Sequence, residues 1–111
     1  MDYIHNKQIS AIIKDISSKI VTALSPDKII LFGSYADGEP SKDSDIDLLI
    51  IKNMRERPAE RQRIISRLFF PRTIPLDIIV KTPTEIEKAQ QRVDPFINGI
   101  LKKGKVLYAR S

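Results

Sequence analysis

The spacing of apolar residues along the chain predicts alternating helices and strands. Between residues 3 and 24, isoleucine and leucine recur at intervals of three and four, as in an amphipathic helix. Short apolar runs at 28–32, 45–51 and 74–80 predict three strands, each bounded by turn-forming residues. A second helix is predicted over 58–70, because proline stands at its first position and another proline follows it.

The remaining segments complete the predicted fold. Residues 34–43 favour a loop or one short helical turn, since they are rich in Ser, Asp, Gly and Pro. A helix or two should run from 82 to about 103, with a break near Asp94, before a last strand at 106–108. This order predicts an α/β (α+β) fold over a single domain, residues 1–111. We expect a small mixed β-sheet with helices mainly on one face and a site on the other.

Composition excludes several kinds of site. The 111 residues include no cysteine, which excludes disulfides, thiolate zinc sites and thiol catalysis. The single histidine, His5, leaves no histidine-based metal site. No apolar run approaches the roughly 20 residues of a membrane span, and the N-terminus lacks the apolar core of a signal peptide. We therefore expect a cytoplasmic protein that does not enter membranes.

The charge balance favours an anionic partner. The formal net charge is +5 and the pI is near 9.6. Seven basic residues fall in one stretch, which indicates either the solvated face of a helix or a docking surface for a triphosphate or partner. They are Lys52, Arg55, Arg57, Arg61, Arg63, Arg67 and Arg72. Aromatic residues do not interleave with them until Phe69 and Phe70, which we assign to the core.

Three aspartates in or beside apolar strands are the candidate catalytic and metal-binding residues. Asp45 and Asp47 stand two apart, so in a strand both would project from one face, while Ile46 and its alternates project into the core. Asp77 interrupts another apolar strand, where an unpaired charge is costly. Carboxylates suit Mg²⁺ or Mn²⁺. If the two strands are neighbours, three carboxylates could hold two metal ions about 4 Å apart, as in displacement at phosphorus.

Gly33 and Ser34 follow the first strand directly. A glycine lets a phosphate approach the backbone closely, and following amides with a serine hydroxyl can bind phosphate oxygens. Gly-Ser and Asp-x-Asp are each weak signals when taken alone. A calcium loop is disfavoured, because Asp47 leads into an apolar strand rather than an Asp/Asn-rich loop.

Together these residues resemble a known signature. Residues 33–47 match the Gly-Ser-x10-Asp-x-Asp pattern of the DNA polymerase beta superfamily of nucleotidyltransferases. The segment GSYADG…DSDIDLLI and the C-terminal segment GILKKGKVLY look most like its minimal nucleotidyltransferase (MNT) branch, as does the order of elements, so the resemblance covers nearly the whole chain. It implies the polymerase beta-like nucleotidyltransferase fold. Many relatives carry arginine where Asp37 stands, so this position is not assigned to phosphate.

The resemblance implies a role for each residue of the signature. Gly33 and Ser34 would position the β- and γ-phosphates of ATP. Asp45 and Asp47 would bind two Mg²⁺ ions, with Mn²⁺ as an alternative. Asp77 would complete the metal site and help to deprotonate the acceptor hydroxyl.

The resemblance also implies a partner. Stand-alone MNT proteins are typically antitoxins paired with a HEPN-domain toxin, an RNase, and transfer AMP from ATP to a tyrosine of the toxin. The chain's small size leaves no room for an acceptor domain, so we expect a protein acceptor and a possible hetero-oligomer with the toxin. Nucleic acid is not expected as the direct substrate.

Three alternatives stay open at this point. The chain could neutralise its toxin by binding alone, without catalysis. It could be a small-molecule nucleotidyltransferase, for instance acting on an aminoglycoside, although a cationic substrate needs an acidic pocket and the net charge points the other way. An RNA-binding module rests only on the basic stretch. Of the remaining residues, we expect Asp43 and Ser44 to form a turn and Tyr35 to pack.

Overall fold

A computed structural model describes residues 6–41, 43–69 and 75–110 of the chain. His5, Lys42, Phe70 and Arg72 lie outside the described residues, so the predictions made for them stay predictions. The described elements, in chain order, are α1 (Asn6–Leu24), β1 (Lys28–Phe32), α2 (Ser34–Asp37), β2 (Ile46–Ile51), α3 (Pro58–Ser66), a 3-10 turn (Arg67–Phe69), β3 (Leu76–Lys81), α4 (Pro83–Gln91), α5 (Pro95–Lys103) and β4 (Lys105–Ala109).

Side-chain caps fix where the two C-terminal helices begin. Thr82 and Glu85 form a capping box at α4, in which the Glu85 N–H donates to Thr82 Oγ1 (3.1 Å) and the Thr82 N–H donates to Glu85 Oε1 (2.9 Å). The Asp94 carboxylate accepts hydrogen bonds from the Phe96 and Ile97 N–H groups. The break predicted near Asp94 is therefore the N-cap of α5.

The four described strands form one mixed sheet in the order β3-β2-β1-β4. β1 runs antiparallel to β2 and β4, whereas β2 runs parallel to β3. The central strand β2 is buried along almost its whole length, because it has a neighbour on each side. The predicted mixed sheet is confirmed.

Helices cover both faces of the sheet, which corrects the prediction that they lie mainly on one face. On the first face, Ile16 and Ile20 of α1 and Ile65 of α3 pack against alternate strand residues such as Leu48. On the second face, four buried residues of α4 and α5 pack against the strand residues that alternate with those of the first face. Those residues are Ile86, Ala89, Ile97 and Ile100, packed over Ile30, Leu49 and Ile51.

One end of the second face carries residues that are not buried. One row of the register places Phe32, Asp47 and Asp77 on that face, on three neighbouring strands and two residues away from the covered row along each strand. Phe32 and Asp47 are half-buried and Asp77 is exposed. This end of the sheet is therefore accessible to a substrate. Within the described ranges, no helix has the length and apolar character needed to cross a bilayer.

Candidate active site

Asp47 and Asp77 lie side by side at the open end of the sheet. The parallel register pairs Asp47 of β2 with Asp77 of β3, and neighbouring strands are about 4.8 Å apart. Both side chains therefore project to the same face, next to one another. The expected pairing of these two strands is confirmed, and with it the meeting of two of the three aspartates.

Asp45 lies just outside this pair. The strand was predicted to begin at residue 45, but β2 begins at Ile46, whose N–H donates to the Pro75 carbonyl at 3.0 Å and makes the first bond to the neighbouring chain segment. Asp45 precedes that bond and is exposed. The strand therefore begins one residue later than predicted, and Asp45 stands immediately before it. The inference that Asp45 and Asp47 share one strand face stays a prediction.

Asp47 is close enough to the other two carboxylates to be affected by their charges. Partial burial raises the pKa of Asp47 above its ordinary value, and the negative charges of Asp77 and then Asp45 raise it further. A cation bound near Asp47 would offset this repulsion, because it stabilises the ionised form of each carboxylate.

The donor set fits a metal ion shared with phosphate rather than one enclosed by protein. Among the residues that the structure describes, no group of three or more acidic or histidine side chains could hold a metal ion. Mg²⁺, however, is usually held by one or two carboxylates together with substrate phosphates and water. Asp47 and Asp77, with Asp45 beside them, supply donors of that type and number.

Gly33 brings the backbone directly against the Asp47 carboxylate. It follows β1 with φ 78°, a left-handed conformation that glycine adopts without steric cost. A Cβ atom placed on Gly33 would lie under 3.0 Å from Oδ2 of Asp47 and 3.2 Å from its Cγ. The site therefore requires glycine for two separate reasons, the backbone angle and the close approach of the carboxylate.

Ser34 opens α2, a helix of four residues that matches the predicted short turn. So short a helix has little dipole, so phosphate binding here would depend on backbone N–H groups and the Ser34 hydroxyl. That hydroxyl donates to Ser44 Oγ at 3.0 Å, and Ser44 Oγ also accepts from the Ser41 N–H at 2.8 Å. The Ser44 N–H in turn donates to the Ser41 carbonyl at 3.0 Å.

Ser44 thus both closes its predicted turn and fixes the direction of the Ser34 hydroxyl. The turn was foreseen, but this second role was missed. The two serines stand ten residues apart, and nothing in the local sequence indicates that their side chains meet. Ser44 stands immediately before Asp45, and this nearness to the predicted site was its one notable feature in the sequence.

The basic stretch divides into buried and exposed members. Arg61 is only 5% exposed, and its guanidinium donates to Glu85 at 2.7 and 3.3 Å, to the Glu56 carbonyl at 2.6 Å and to the Val80 carbonyl at 3.3 Å. Because it joins α3 to β3 and α4, it belongs neither to a solvated face nor to a docking surface. Arg63 and Arg67 are exposed, so the docking hypothesis stays a prediction for them.

Tyr35 and Phe69 pack partly buried against the core of the first face, as predicted. A groove of about 960 Å³ lies between α1 and β4 on that face, with Leu31 in its lining. Leu31 pairs with Leu48 in the register, so this groove is on the side of the sheet opposite Asp47. It is therefore not part of the carboxylate site.

This arrangement is similar to that of known proteins. Residues 14–111 match the family described as "Polymerase beta, Nucleotidyltransferase". Two proteins of Methanocaldococcus jannaschii are similar in sequence. "Putative protein adenylyltransferase MJ1305" is 36% identical over 87 residues, which cover 74% of this chain and 58% of that protein. "Putative protein adenylyltransferase MJ0141" is 42% identical over 61 residues, which cover 53% of this chain and 62% of that protein.

The chain therefore spans between 58% and 62% of the length of these curated relatives. A solved structure is also similar, described as "Crystal structure of a putative nucleotidyltransferase from Sulfolobus solfataricus". It superposes with a TM-score of 0.60 at 22% identity, covering 88% of this chain and 78% of that one. At this identity the likeness shows the fold.

Proposed function

The chain belongs to the polymerase beta nucleotidyltransferase family, and we propose that it transfers AMP from ATP to a hydroxyl of a partner protein. The observation that carries this proposal is the register that sets Asp47 beside Asp77, with the Gly33 backbone against Asp47. The names of the two sequence relatives support a protein acceptor. The acceptor we propose is a tyrosine of a HEPN-domain toxin, for which this chain would be the antitoxin.

In the proposed reaction the acceptor oxygen attacks the α-phosphorus of ATP. A bond forms between that oxygen and phosphorus, the bond from phosphorus to the β-phosphate oxygen breaks, and pyrophosphate leaves. The hydroxyl proton passes to the Asp77 carboxylate, which is exposed at the open end of the sheet. Gly33 and Ser34 hold the β- and γ-phosphates and so fix the position of the leaving group.

Asp45, Asp47 and Asp77 are the residues that would hold Mg²⁺, or Mn²⁺, together with the phosphates. When bound, the metal supplies positive charge that stabilises the charge developing on the phosphate oxygens. Asp47 is the best placed of the three, because it lies between the Gly33 backbone and Asp77. Its replacement should therefore impair phosphate positioning and metal binding together.

Co-expression with the partner separates catalysis from neutralisation by binding alone. We expect the wild-type chain to relieve the growth arrest caused by the neighbouring gene's product, and Asp45→Asn/Asp47→Asn to fail while still being produced in folded form. Asp43→Asn is the matched control, since Asp43 is an exposed acid two residues before Asp45. Full relief of growth arrest by the double variant, with no nucleotide on the partner, would establish the binding alternative instead.

A further inference from the structure

A cleft adjoins the carboxylate site on the same side of the sheet. It has a volume of about 290 Å³ and lies between α2 and one side of α5 along the length of that helix. Phe32 and Phe96 provide aromatic lining, Gly33 forms the end nearest Asp47, and Asp37 and Lys103 stand among the lining residues. Its volume is close to the lower limit for small-molecule sites, which begin at roughly 300 Å³.

Phe96 is the unusual side chain in this cleft. It is 53% exposed at the start of α5, where Ile97 next to it is buried. Its ring meets Phe32 edge to face, with centroids 5.8 Å apart and planes at 86°. Only one edge or face of each ring is used in such a contact. Phe32 therefore holds Phe96 in place while much of the Phe96 ring stays open to solvent.

The position of the cleft fits one part of a nucleotide. In the register, Asp77, Asp47 and Phe32 form a row across three neighbouring strands. The phosphates lie at Gly33 and Ser34 in the proposed function, beside Asp47, and the aromatic pair lies at the end of the row away from Asp77. A nucleoside joined to the α-phosphate would thus find its nearest apolar recess at Phe96.

We propose that this cleft is the base-binding subsite, in which the nucleobase of the NTP stacks on Phe96. The proposal rests on the proposed function, because it requires the triphosphate to bind at Gly33. Stacking on an aromatic ring gives affinity with little sequence preference, since every base has a π-face. The larger face of a purine should stack better, so ATP should bind more tightly than CTP or UTP.

Calorimetric titration of the full chain with ATP and with inorganic tripolyphosphate, each with Mg²⁺, tests the subsite. Phe96→Ala should raise the Kd for ATP roughly tenfold, within the range found when a base-stacking aromatic is replaced by alanine. Its Kd for tripolyphosphate, which has no base, should stay unchanged. Phe96→Trp should restore ATP affinity. Val106→Ala is the matched control, because Val106 is 56% exposed and lies outside the cleft.

The outcomes separate the subsite from the proposed function. Wild-type chain that binds ATP, with Phe96→Ala binding it equally well, would overturn the subsite and leave the proposed function standing. Wild-type chain that binds neither ATP nor tripolyphosphate would overturn both. If Phe96→Ala does not fold, Phe96→Leu decides the question, because it keeps apolar volume without an aromatic face. ATP affinity in Phe96→Leu equal to that of wild type would equally refute stacking.

Discussion

Gly33→Ala is the substitution for which the structure makes the sharpest prediction. The new methyl group would stand under 3.0 Å from the tip of the Asp47 carboxylate, so Asp47 must rotate away. Gly38→Ala is a matched control within the same segment. Gly38 also has a positive φ, 81°, but a Cβ there meets nothing within 4 Å. Both variants place an L-residue at positive φ, but ψ is −158° at Gly33, a region essentially confined to glycine, and 13° at Gly38, which is ordinary left-handed backbone. Gly33→Ala therefore carries the larger backbone penalty, and it alone of the two adds the contact with Asp47.

The expected losses of stability and activity follow from the backbone angles of the two glycines and from the contact with Asp47. A left-handed conformation costs an L-residue roughly 1–2 kcal/mol, so Gly38→Ala should lose about that much stability. Gly33→Ala should lose more, because its backbone angles are essentially confined to glycine and its methyl group meets Asp47. For a domain of about 100 residues, 1 kcal/mol corresponds to about 4–8 °C in Tm. Displacing a catalytic group by about 1 Å can reduce the rate on the order of 100-fold. We therefore expect Gly33→Ala to lose about 100-fold in nucleotidyl transfer and Gly38→Ala to stay within a few-fold of wild type.

The assay pairs thermal unfolding by circular dichroism with transfer of α-labelled AMP to the partner protein. Transfer is compared at a temperature at which both variants are folded, so that a difference in activity reports on Asp47 and not on stability. If Gly33→Ala transfers AMP as well as Gly38→Ala does, the contact between Gly33 and Asp47 has no role in catalysis. Equal activity would therefore refute the geometry assigned to the site.

The remaining predictions concern stability, phosphate positioning and docking. Arg61→Ala should cost roughly 3 kcal/mol in urea unfolding, because the nearly buried guanidinium and its hydrogen bonds to Glu85 and to two backbone carbonyls are lost together; a loss under about 1 kcal/mol would contradict this. Arg61 holds the pKa of Glu85 below its ordinary value of 4.5, so the pair's stabilisation is present above that value and is lost as pH falls through the lowered pKa. Wild type should thus lose stability more steeply than Glu85→Gln in acid urea titrations, and parallel curves would contradict this. Ser44→Ala removes the hydroxyl that holds Ser34 Oγ in position and should raise KM for ATP several-fold at unchanged Tm, whereas an unchanged KM would show that this contact is unimportant. If Arg63 and Arg67 dock an acidic surface of the partner, Arg63→Glu/Arg67→Glu should reduce modification of the partner at low partner concentration while ATP affinity stays unchanged. Full modification by this variant would show that the two arginines only form a solvated helix face.

The carboxylates could be predicted because their signal is local. A charged residue inside an apolar strand, as at Asp77, needs a compensating partner wherever the strand lies. The same holds for the pairing of Gly33 with a following serine, since backbone freedom and phosphate chemistry both belong to neighbouring residues. These arguments needed only one assumption about topology, namely that two strands lie side by side.

The features that could not be predicted from the sequence depend on contacts between residues far apart in the chain. Arg61 meets Glu85 across 24 positions, and a helix pattern cannot distinguish a solvated arginine from one that is paired and buried. Amphipathic spacing likewise shows that α4 and α5 have an apolar side, but it does not tell which face of the sheet they cover. The aromatic pair of Phe32 and Phe96 escaped notice for the same reason, because it forms only once α5 packs on the second face.

The most direct test of the proposed function follows the two ends of ATP separately. The chain is incubated with Mg²⁺, the partner protein and ATP labelled on either the α- or the γ-phosphate, and the partner is then examined for label and intact mass. We predict that α-label joins the partner with a mass increase of whole AMP units, that γ-label leaves as pyrophosphate, and that Asp47→Asn abolishes both. Label from the γ-position on the partner, or α-label that persists with Asp47→Asn, would contradict nucleotidyl transfer at this site.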